Sequence, residues 1–218
     1  MPGRVPIPEN FSIERARRAQ ELIASRVIEE DRIEYPVRYA AGVDVAFKGT
    51  TAVGAAVVVE YPSLRLVEES FAYTAVRFPY VPTLLAFRET GPALLALKKL
   101  RHDYQVLFVD GNGRLHPYRA GFACQLGVAV DKPTIGVAKK LLLGELRWLD
   151  DLAEIVVNGE VLGYAVKLHG RPVYVSVGHK VSLETAVKLV RAFTRPGARL
   201  PEPLLLAHRV STRERGRL

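Results

Sequence analysis

Hydrophobic residues recur at two different spacings along the chain and divide it into predicted helices and strands. Near the N-terminus they recur every three or four residues, the spacing of one helix face. These apolar positions predict an amphipathic helix within residues 10–31, and they are Ile13, Ala16, Ala19, Ile23 and Val27. Ser12 is a suitable N-cap for this helix, because its hydroxyl can accept a free backbone N–H.

Three β-like runs follow, at residues 37–47, 51–61 and 65–76. Links of only two or three residues join them, and such short links connect antiparallel neighbours. The sequence therefore predicts an antiparallel unit of three strands.

Helices and buried strands alternate in the remainder of the chain. A proline-punctuated loop at 77–82 precedes two short predicted helices, 83–89 and 90–100, the second with Thr90 as its cap and Pro92 in its first turn. Unbroken apolar runs predict buried strands, and turn residues separate the later segments. The predicted segments are a strand at 105–110, a helix at 119–131, a strand at 133–142, a hairpin of 160–168 with 171–178, and helices at 182–193 and 201–215.

This order of elements predicts an α/β fold with one mixed sheet, in which three antiparallel strands are followed by parallel strands and helices flank the sheet. It matches the ribonuclease H-like arrangement. A chain of 218 residues is the size of one domain, so we expect residues 1–218 to form a single domain with an N-terminal helix and a basic C-terminal helix.

Charge favours a polyanionic partner. The formal net charge is +8, and residues 191–218 carry seven arginines against two acids. Such a basic segment is either a solvated end or a surface for phosphates, and nucleic acid is the expected partner. One cysteine and no apolar run near the roughly 20 residues of a membrane span predict a soluble, cytoplasmic protein without a membrane partner.

Three acids interrupt apolar segments at the positions where a ribonuclease H-like fold has its catalytic carboxylates. Asp44 lies in the first strand, Glu89 ends an apolar helical run, and Asp110 ends a buried strand. Each could alone be a cap or an ion-pair partner. Three carboxylates brought together repel one another unless a cation neutralises them, and oxygen ligands suit Mg²⁺ or Mn²⁺. A metal held there can activate water and stabilise a leaving oxygen of a phosphodiester.

Two further residues can assist at a phosphate. His116 follows Asp110 in the same loop, and Lys139 follows the apolar run of the next strand. Each is equally compatible with a solvated position. In the same loop, Gly111 and Gly113 permit a positive φ or a close approach of the backbone.

Four segments resemble the endonuclease V family of repair nucleases: "GVDVAF" (42–47), "PYVPTLLAFRE" (79–89), "LFVDGNGRLHPYRAG" (107–121) and "IGVAKKLL" (135–142). The resemblance extends over nearly the whole chain. It implies a Mg²⁺-dependent endodeoxyribonuclease, with Mn²⁺ as a substitute, that recognises deoxyinosine in DNA. Cleavage would fall at the second phosphodiester 3′ of the lesion and leave 3′-hydroxyl and 5′-phosphate ends.

The resemblance also implies residue roles. Asp44, Glu89 and Asp110 would be metal and catalytic carboxylates, with His116 and Lys139 at the phosphate. A wedge would open the base stack, with Tyr80 at its tip, and it comprises Pro79, Tyr80, Val81 and Pro82. A pocket for the extruded base would be lined by Thr83, Leu85, Gly111, Gly121, Phe122 and Leu142. His208 matches a family histidine and could contact DNA or pack in the C-terminal helix.

The sequence departs from the family pattern at one residue, and it leaves two alternative functions open. Thr83 stands where the family commonly has glycine, so its β-branched side chain could narrow the pocket. An RNA-directed nuclease would cut at inosine with the same metal site, and tolerance of a 2′-hydroxyl would identify it. A silent binding protein would lack carboxylates, whereas all three are present. We expect a monomer that binds DNA containing deaminated bases, and inosine-containing RNA as the alternative substrate.

Overall fold

The computed structural model describes residues 11–218. One mixed sheet of nine strands has the order β3-β2-β1-β4-β5-β9-β8-β7-β6. The strands are β1 (Tyr39–Lys48), β2 (Thr51–Glu60), β3 (Arg65–Ala75), β4 (Val106–Asp110), β5 (Thr134–Ala138), β6 (Glu145–Leu149), β7 (Leu152–Val157), β8 (Glu160–Val166) and β9 (Val173–His179).

Residues 11–218 form five helices. They are α1 (Ile13–Arg26), α2 (Ala86–Leu97), α3 (Phe122–Val130), α4 (Leu183–Ala192) and α5 (Glu202–Arg217). Helix α1 packs against α3, and the other four helices pack against the sheet. Buried side chains of β1, β2 and β4 alternate between two cores, one formed with α4 and α5 and the other with α2 and α3. Successive side chains of a strand point to opposite faces, so these central strands are hydrophobic on both sides.

The predicted fold class is confirmed. β1, β2 and β3 are antiparallel, and β4 and β5 run parallel to β1. The β8–β9 hairpin is also antiparallel, as predicted. Because β1, β4 and β5 are parallel neighbours, their carboxyl ends meet at one edge of the sheet.

The two helices predicted over 83–89 and 90–100 are one helix, α2, and that boundary was wrong. Thr90 is not an N-cap, since its hydroxyl donates to the carbonyl of Ala86 within the helix. Pro92 lies in the helix interior rather than in a first turn. A proline there removes one helical hydrogen bond, but Pro92 is buried against the sheet, and the tertiary contact outweighs the local preference.

Other boundaries moved inward. The N-terminal helix begins at Ile13 with Ser12 as its cap, as predicted, but ends at Arg26. β5 ends at Ala138 rather than at 142. Strands β6 and β7 were not predicted. β6 is mostly exposed and lacks an apolar run, whereas the apolar and partly buried β7 was missed. Residue 10, predicted to be in the first helix, lies outside the described residues. Within residues 11–218, no helix is both long and apolar enough to cross a membrane.

Candidate active site

Neighbouring strands place two of the predicted acids side by side. Asp44 lies in β1 and Asp110 ends β4, each one residue beyond the paired residues Val43 and Val109. Asp44 is buried and Asp110 is partly buried. Two carboxylates at adjacent positions of a parallel sheet form the centre of the candidate site.

Helix α5 brings two further polar groups to Asp44. The His208 Nδ1 lies 3.2 Å from Oδ2 of Asp44, and the buried Ser211 hydroxyl donates to the same oxygen. Helix α5 can pack this closely because β1 has no side chain at Gly42, where a Cβ would lie 2.3 Å from the carbonyl oxygen of Pro203. The predicted residue His208 therefore lies at the carboxylates, and Ser211 was missed.

The described residues contain one cluster suited to a cation. Ligand atoms of Asp44, Asp110 and His208 all lie within 4.8 Å of one another. Carboxylate oxygens suit Mg²⁺ or Mn²⁺, and one imidazole nitrogen is also compatible with Mn²⁺. The donor set therefore fits a divalent cation.

Glu89 lies next to this cluster but outside its ligand set. Burial, together with the negative charges of Asp110 and Asp44, raises the pKa of Glu89 to about 8. Burial also raises the pKa of Asp110, although Lys139 opposes the shift. Three acids crowded without a cation favour proton uptake, so the electrostatics of the site favour binding of a positive ion.

Lys139 lies immediately after β5 and forms an ion pair with Asp110 through Nζ and Oδ2. The side chain is partly exposed, so the ammonium is both beside the carboxylate and accessible. The structure thus brings together four of the five predicted catalytic residues: Asp44, Glu89, Asp110 and Lys139.

A groove leads away from the carboxylates along β1 and α5. It has a volume of about 700 Å³, and we name it the Asp44 groove. The lining includes four basic side chains, Lys48, Lys139, His208 and Arg215. Its positive lining suits a phosphate backbone that passes the carboxylates.

A separate cavity of about 400 Å³ lies beside Glu89 and Asp110, and we name it the Glu89 cavity. All six residues predicted to line a base pocket line this cavity, namely Thr83, Leu85, Gly111, Gly121, Phe122 and Leu142. Sequence reasoning missed Ala86 and Asn112. The Asn112 side-chain oxygen is buried without a hydrogen-bond partner in the described residues, and Asn112 is one of the residues that line the cavity.

His116 lies in the wall of the Glu89 cavity rather than in the Asp44 groove. Its Nδ1 accepts the backbone N–H of Tyr118 at 3.2 Å. Burial lowers the pKa of His116 to about 4. The imidazole is therefore neutral at neutral pH, so it can exchange hydrogen bonds but carries no positive charge for a phosphate.

Thr83 adopts φ +66°, in the left-handed region that favours glycine. This conformation explains why a glycine is suited to the position. The threonine carbonyl accepts a hydrogen bond from Nε2 of Gln20 at 2.8 Å, which ties the loop to α1. The tertiary contacts hold the strained residue in place.

The glycine-rich loop after β4 depends on close packing rather than on positive φ. A Cβ at Gly113 would lie 2.0 Å from the carbonyl oxygen of Val177 in β9. The Gly113 N–H donates to the buried Ser176 hydroxyl at 2.9 Å. Gly113 therefore allows the loop to approach β9, and Gly111 remains at the cavity wall.

The predicted wedge forms the loop between β3 and α2. Pro79 is buried, whereas the Tyr80 side chain is 62% exposed and borders the Glu89 cavity. Pro82 also lines the cavity, but Val81 does not. An exposed aromatic ring at the mouth of a cavity is positioned to contact a base stack.

Comparison with known proteins identifies relatives of the whole chain. The family model described as Endonuclease V matches residues 21–209. An endonuclease V of Thermofilum pendens is 65% identical over 94% of this chain and 90% of its own length. A Streptomyces avermitilis endonuclease V structure is 35% identical, covers 100% of this chain and 99% of its own, and has a TM-score of 0.90.

A Ciona intestinalis endonuclease V structure is 31% identical, with a TM-score of 0.82. The alignment covers 95% of this chain and 99% of that one. That protein is in complex with a 23mer DNA containing an inosine followed by a ribo-adenosine.

Proposed function

Since this chain belongs to the endonuclease V family and is thus a nuclease, we propose that it cuts DNA at deoxyinosine. The cut falls at the second phosphodiester 3′ of the lesion and leaves 3′-hydroxyl and 5′-phosphate ends. One observation carries the proposal. A cavity of about 400 Å³ lies directly beside the paired carboxylates of Asp44 and Asp110: Asp110 lines the cavity, and so does Glu89 next to the pair. This arrangement lets one enzyme hold an extruded base and cut the adjacent backbone.

A divalent cation fits the cluster of Asp44, Asp110 and His208, with Glu89 beside it, and we propose Mg²⁺ with Mn²⁺ as a substitute. When bound, such an ion supplies activation of water and stabilisation of negative charge on phosphate oxygens. Ser211 holds one oxygen of Asp44 and so fixes the orientation of that carboxylate. Lys139 lies where its ammonium can contact the attacked phosphate.

Selection of the base follows from the walls of the Glu89 cavity. Hypoxanthine lacks the exocyclic amino group of guanine, so a close wall of Gly111, Gly121 and Phe122 can reject the larger edge. The neutral His116 ring and the side chain of Asn112, both of which line the cavity, are the proposed hydrogen-bonding groups for the base. Tyr80 fills the gap in the stack after extrusion, as flanking side chains do in other DNA-bending proteins.

Cleavage of inosine-containing RNA is the second candidate. The Ciona relative holds DNA in which a ribo-adenosine follows the inosine, so a 2′-hydroxyl is accommodated there beside the base. The same metal site serves either substrate. The two candidates therefore differ only in sugar recognition.

An Asp110→Asn variant tests the proposed role of the carboxylates. The change removes one charge but keeps the size of the side chain, so cleavage of deoxyinosine DNA should be lost while binding of that DNA persists. Gel assays of cleavage and anisotropy assays of binding measure the two. Asp150→Asn, at an exposed loop position, is the matched control. Unchanged cleavage by Asp110→Asn would refute the assignment.

A further inference from the structure

Arg88 is a buried cation whose guanidinium has no hydrogen-bond partner among residues 11–218, although its charge acts on the neighbouring Glu89. Arg88 lies in α2, and it is only 4% exposed. None of its three guanidinium nitrogens has a hydrogen-bond partner within the described chain. A buried charge without hydrogen bonds is costly, and proteins retain such groups where a ligand completes them. The guanidinium shape matches the oxygens of a phosphate.

Arg88 lines a second cavity, of about 420 Å³, which we name the Arg77 cavity. Arg77 lines it too and is exposed, so two arginines border one space. Among residues 11–218, no acidic residue belongs to its lining. Thr74 also lines the cavity, and its hydroxyl donates to the carbonyl of Ala75 at 3.4 Å. The chemistry of the cavity is that of an anion site.

The Arg77 cavity and the Glu89 cavity lie on different faces of α2. Successive residues of a helix are rotated by about 100° around its axis. Ala86 and Glu89 therefore lie on one face of α2. Phe87, Arg88 and Gly91 lie on another face. The first face lines the Glu89 cavity, and the second face lines the Arg77 cavity. The second site is therefore separate from the pocket for the base.

Two aromatic rings connect Arg88 to the proposed substrate path. The guanidinium carbon lies 5.3 Å from the ring centroid of Phe47, which lines the Asp44 groove. It lies 5.9 Å from the ring centroid of Tyr80. Tyr80 is an exposed side chain on the wedge loop, so the guanidinium of Arg88 lies beside the loop that is proposed to enter the base stack.

From these contacts we propose that Arg77 and Arg88 form a phosphate subsite for the DNA backbone beside the wedge. The inference rests on the proposed function and adds a second contact point for the same substrate. A backbone phosphate enters the Arg77 cavity and pairs with Arg88 when Tyr80 occupies the base stack. The phosphate belongs either to the lesion strand or to the complementary strand.

Salt dependence of binding measures this contact directly. Each phosphate neutralised by a protein cation contributes about 0.9 to the slope of log affinity against log salt for duplex DNA, and about 0.7 for a single strand. Binding is measured without divalent metal, so that no cleavage occurs, on deoxyinosine duplex, deoxyinosine single strand and a matched deoxyguanosine duplex. The variants are Arg77→Gln and Arg88→Met, with Arg147→Gln on the exposed strand β6 as control.

We expect Arg77→Gln and Arg88→Met each to lower the slope by about one phosphate, and Arg147→Gln to leave it unchanged. A lower slope with both the deoxyinosine duplex and the deoxyinosine single strand assigns the phosphate to the lesion strand. Loss in the duplex alone assigns it to the complementary strand. Slopes equal to the wild-type value for both variants would overturn the subsite.

Thermal melting separates binding from folding. Arg88→Met removes a buried guanidinium that has no hydrogen-bond partner among the described residues, so its melting temperature should equal or exceed that of the wild type. If Arg88→Met does not fold, the exposed Arg77→Gln variant decides the question alone. Equal wild-type affinity for the deoxyinosine and deoxyguanosine duplexes would contradict the proposed function, whereas the slope differences would still test the subsite.

Discussion

At the scale of single residues, the site contains one residue in an unfavourable backbone conformation and one whose pKa is far from its ordinary value. Thr83 has a backbone conformation suited to glycine, and His116 is buried as a neutral ring. Both residues border the Glu89 cavity. Such strain persists where the surrounding contacts determine the geometry, and it is common at functional sites.

A Thr83→Gly variant should relieve the backbone strain and widen the cavity. The left-handed conformation costs a non-glycine residue about 1–2 kcal/mol, partly offset by the greater chain entropy of glycine when unfolded. We expect a free energy of unfolding equal to or up to about 1 kcal/mol above that of the wild type. Chemical denaturation measures this, with Thr74→Gly, in strand β3, expected to be destabilised instead. A clear loss of stability in Thr83→Gly would contradict the strain.

His116 should make stability depend on pH. Its pKa is about 4 in the folded protein against an ordinary value of 6.5, so the unfolded chain binds the extra proton first as pH falls. Above pH 6.5 the ring is neutral in both states and costs no stability. Between pH 6.5 and pH 4 the free energy of unfolding should fall, by about 3 kcal/mol at most. Unfolding measured across this range should be less acid-sensitive in His116→Gln. His169→Gln, at an exposed position, should follow the wild type.

At the scale of elements, α5 and the wedge loop position the groups that the strands do not supply. Helix α5 is fixed at its end by the buried Glu214, which accepts hydrogen bonds from Arg213, Arg217 and the hydroxyl of Tyr73 in β3. The opposite end packs on Gly42. Anchored at both ends, the helix holds His208 and Ser211 at Asp44.

A Ser211→Ala variant should weaken metal binding, because Asp44 loses the hydrogen bond that orients it. Removal of such outer contacts typically lowers metal affinity or activity about 10- to 100-fold. Calorimetric titration with Mn²⁺ gives the affinity independently of cleavage, and Ser25→Ala in α1 is a control. Wild-type Mn²⁺ affinity in Ser211→Ala would show that the hydroxyl only packs the helix.

A Tyr80→Ala variant should weaken binding to deoxyinosine DNA more than binding to undamaged DNA, because only the extruded base leaves a gap for the ring. Tyr80→Phe retains the ring and should bind like the wild type. Anisotropy titrations on the two DNAs supply the comparison. Equal losses on both DNAs would remove the wedge role.

Sequence patterns predicted the central elements well because their apolar runs are long and buried on both faces. They failed where tertiary contacts outweigh local preference, as in α2, which continues through Pro92. Of the site, acids in apolar runs revealed Asp44, Glu89 and Asp110. Ser211 gave no signal, because a serine in a polar helix has many possible roles. Its contact with Asp44 depends on a packing distance that no local pattern encodes.

At the scale of the whole molecule, the parallel strands β1, β4 and β5 carry Asp44 and Asp110 and lead to Lys139. Antiparallel strands extend the sheet on both sides. The net charge of +8 and the basic lining of the Asp44 groove attract a polyanion to that edge. Helix α2 separates the Glu89 cavity from the Arg77 cavity. This division predicts that base recognition and backbone contact can be disrupted independently.

Cleavage of three matched oligonucleotides in Mg²⁺ tests the central claim most directly. One DNA carries a single deoxyinosine, the second carries deoxyguanosine at the same position, and an RNA carries inosine there. A cut at the second phosphodiester 3′ of deoxyinosine, confined to the first DNA and absent without metal, is the predicted result. Cleavage mainly of the RNA would assign the protein to inosine-containing RNA. Binding without cleavage in both Mg²⁺ and Mn²⁺ would contradict the assignment of the carboxylates as a catalytic centre.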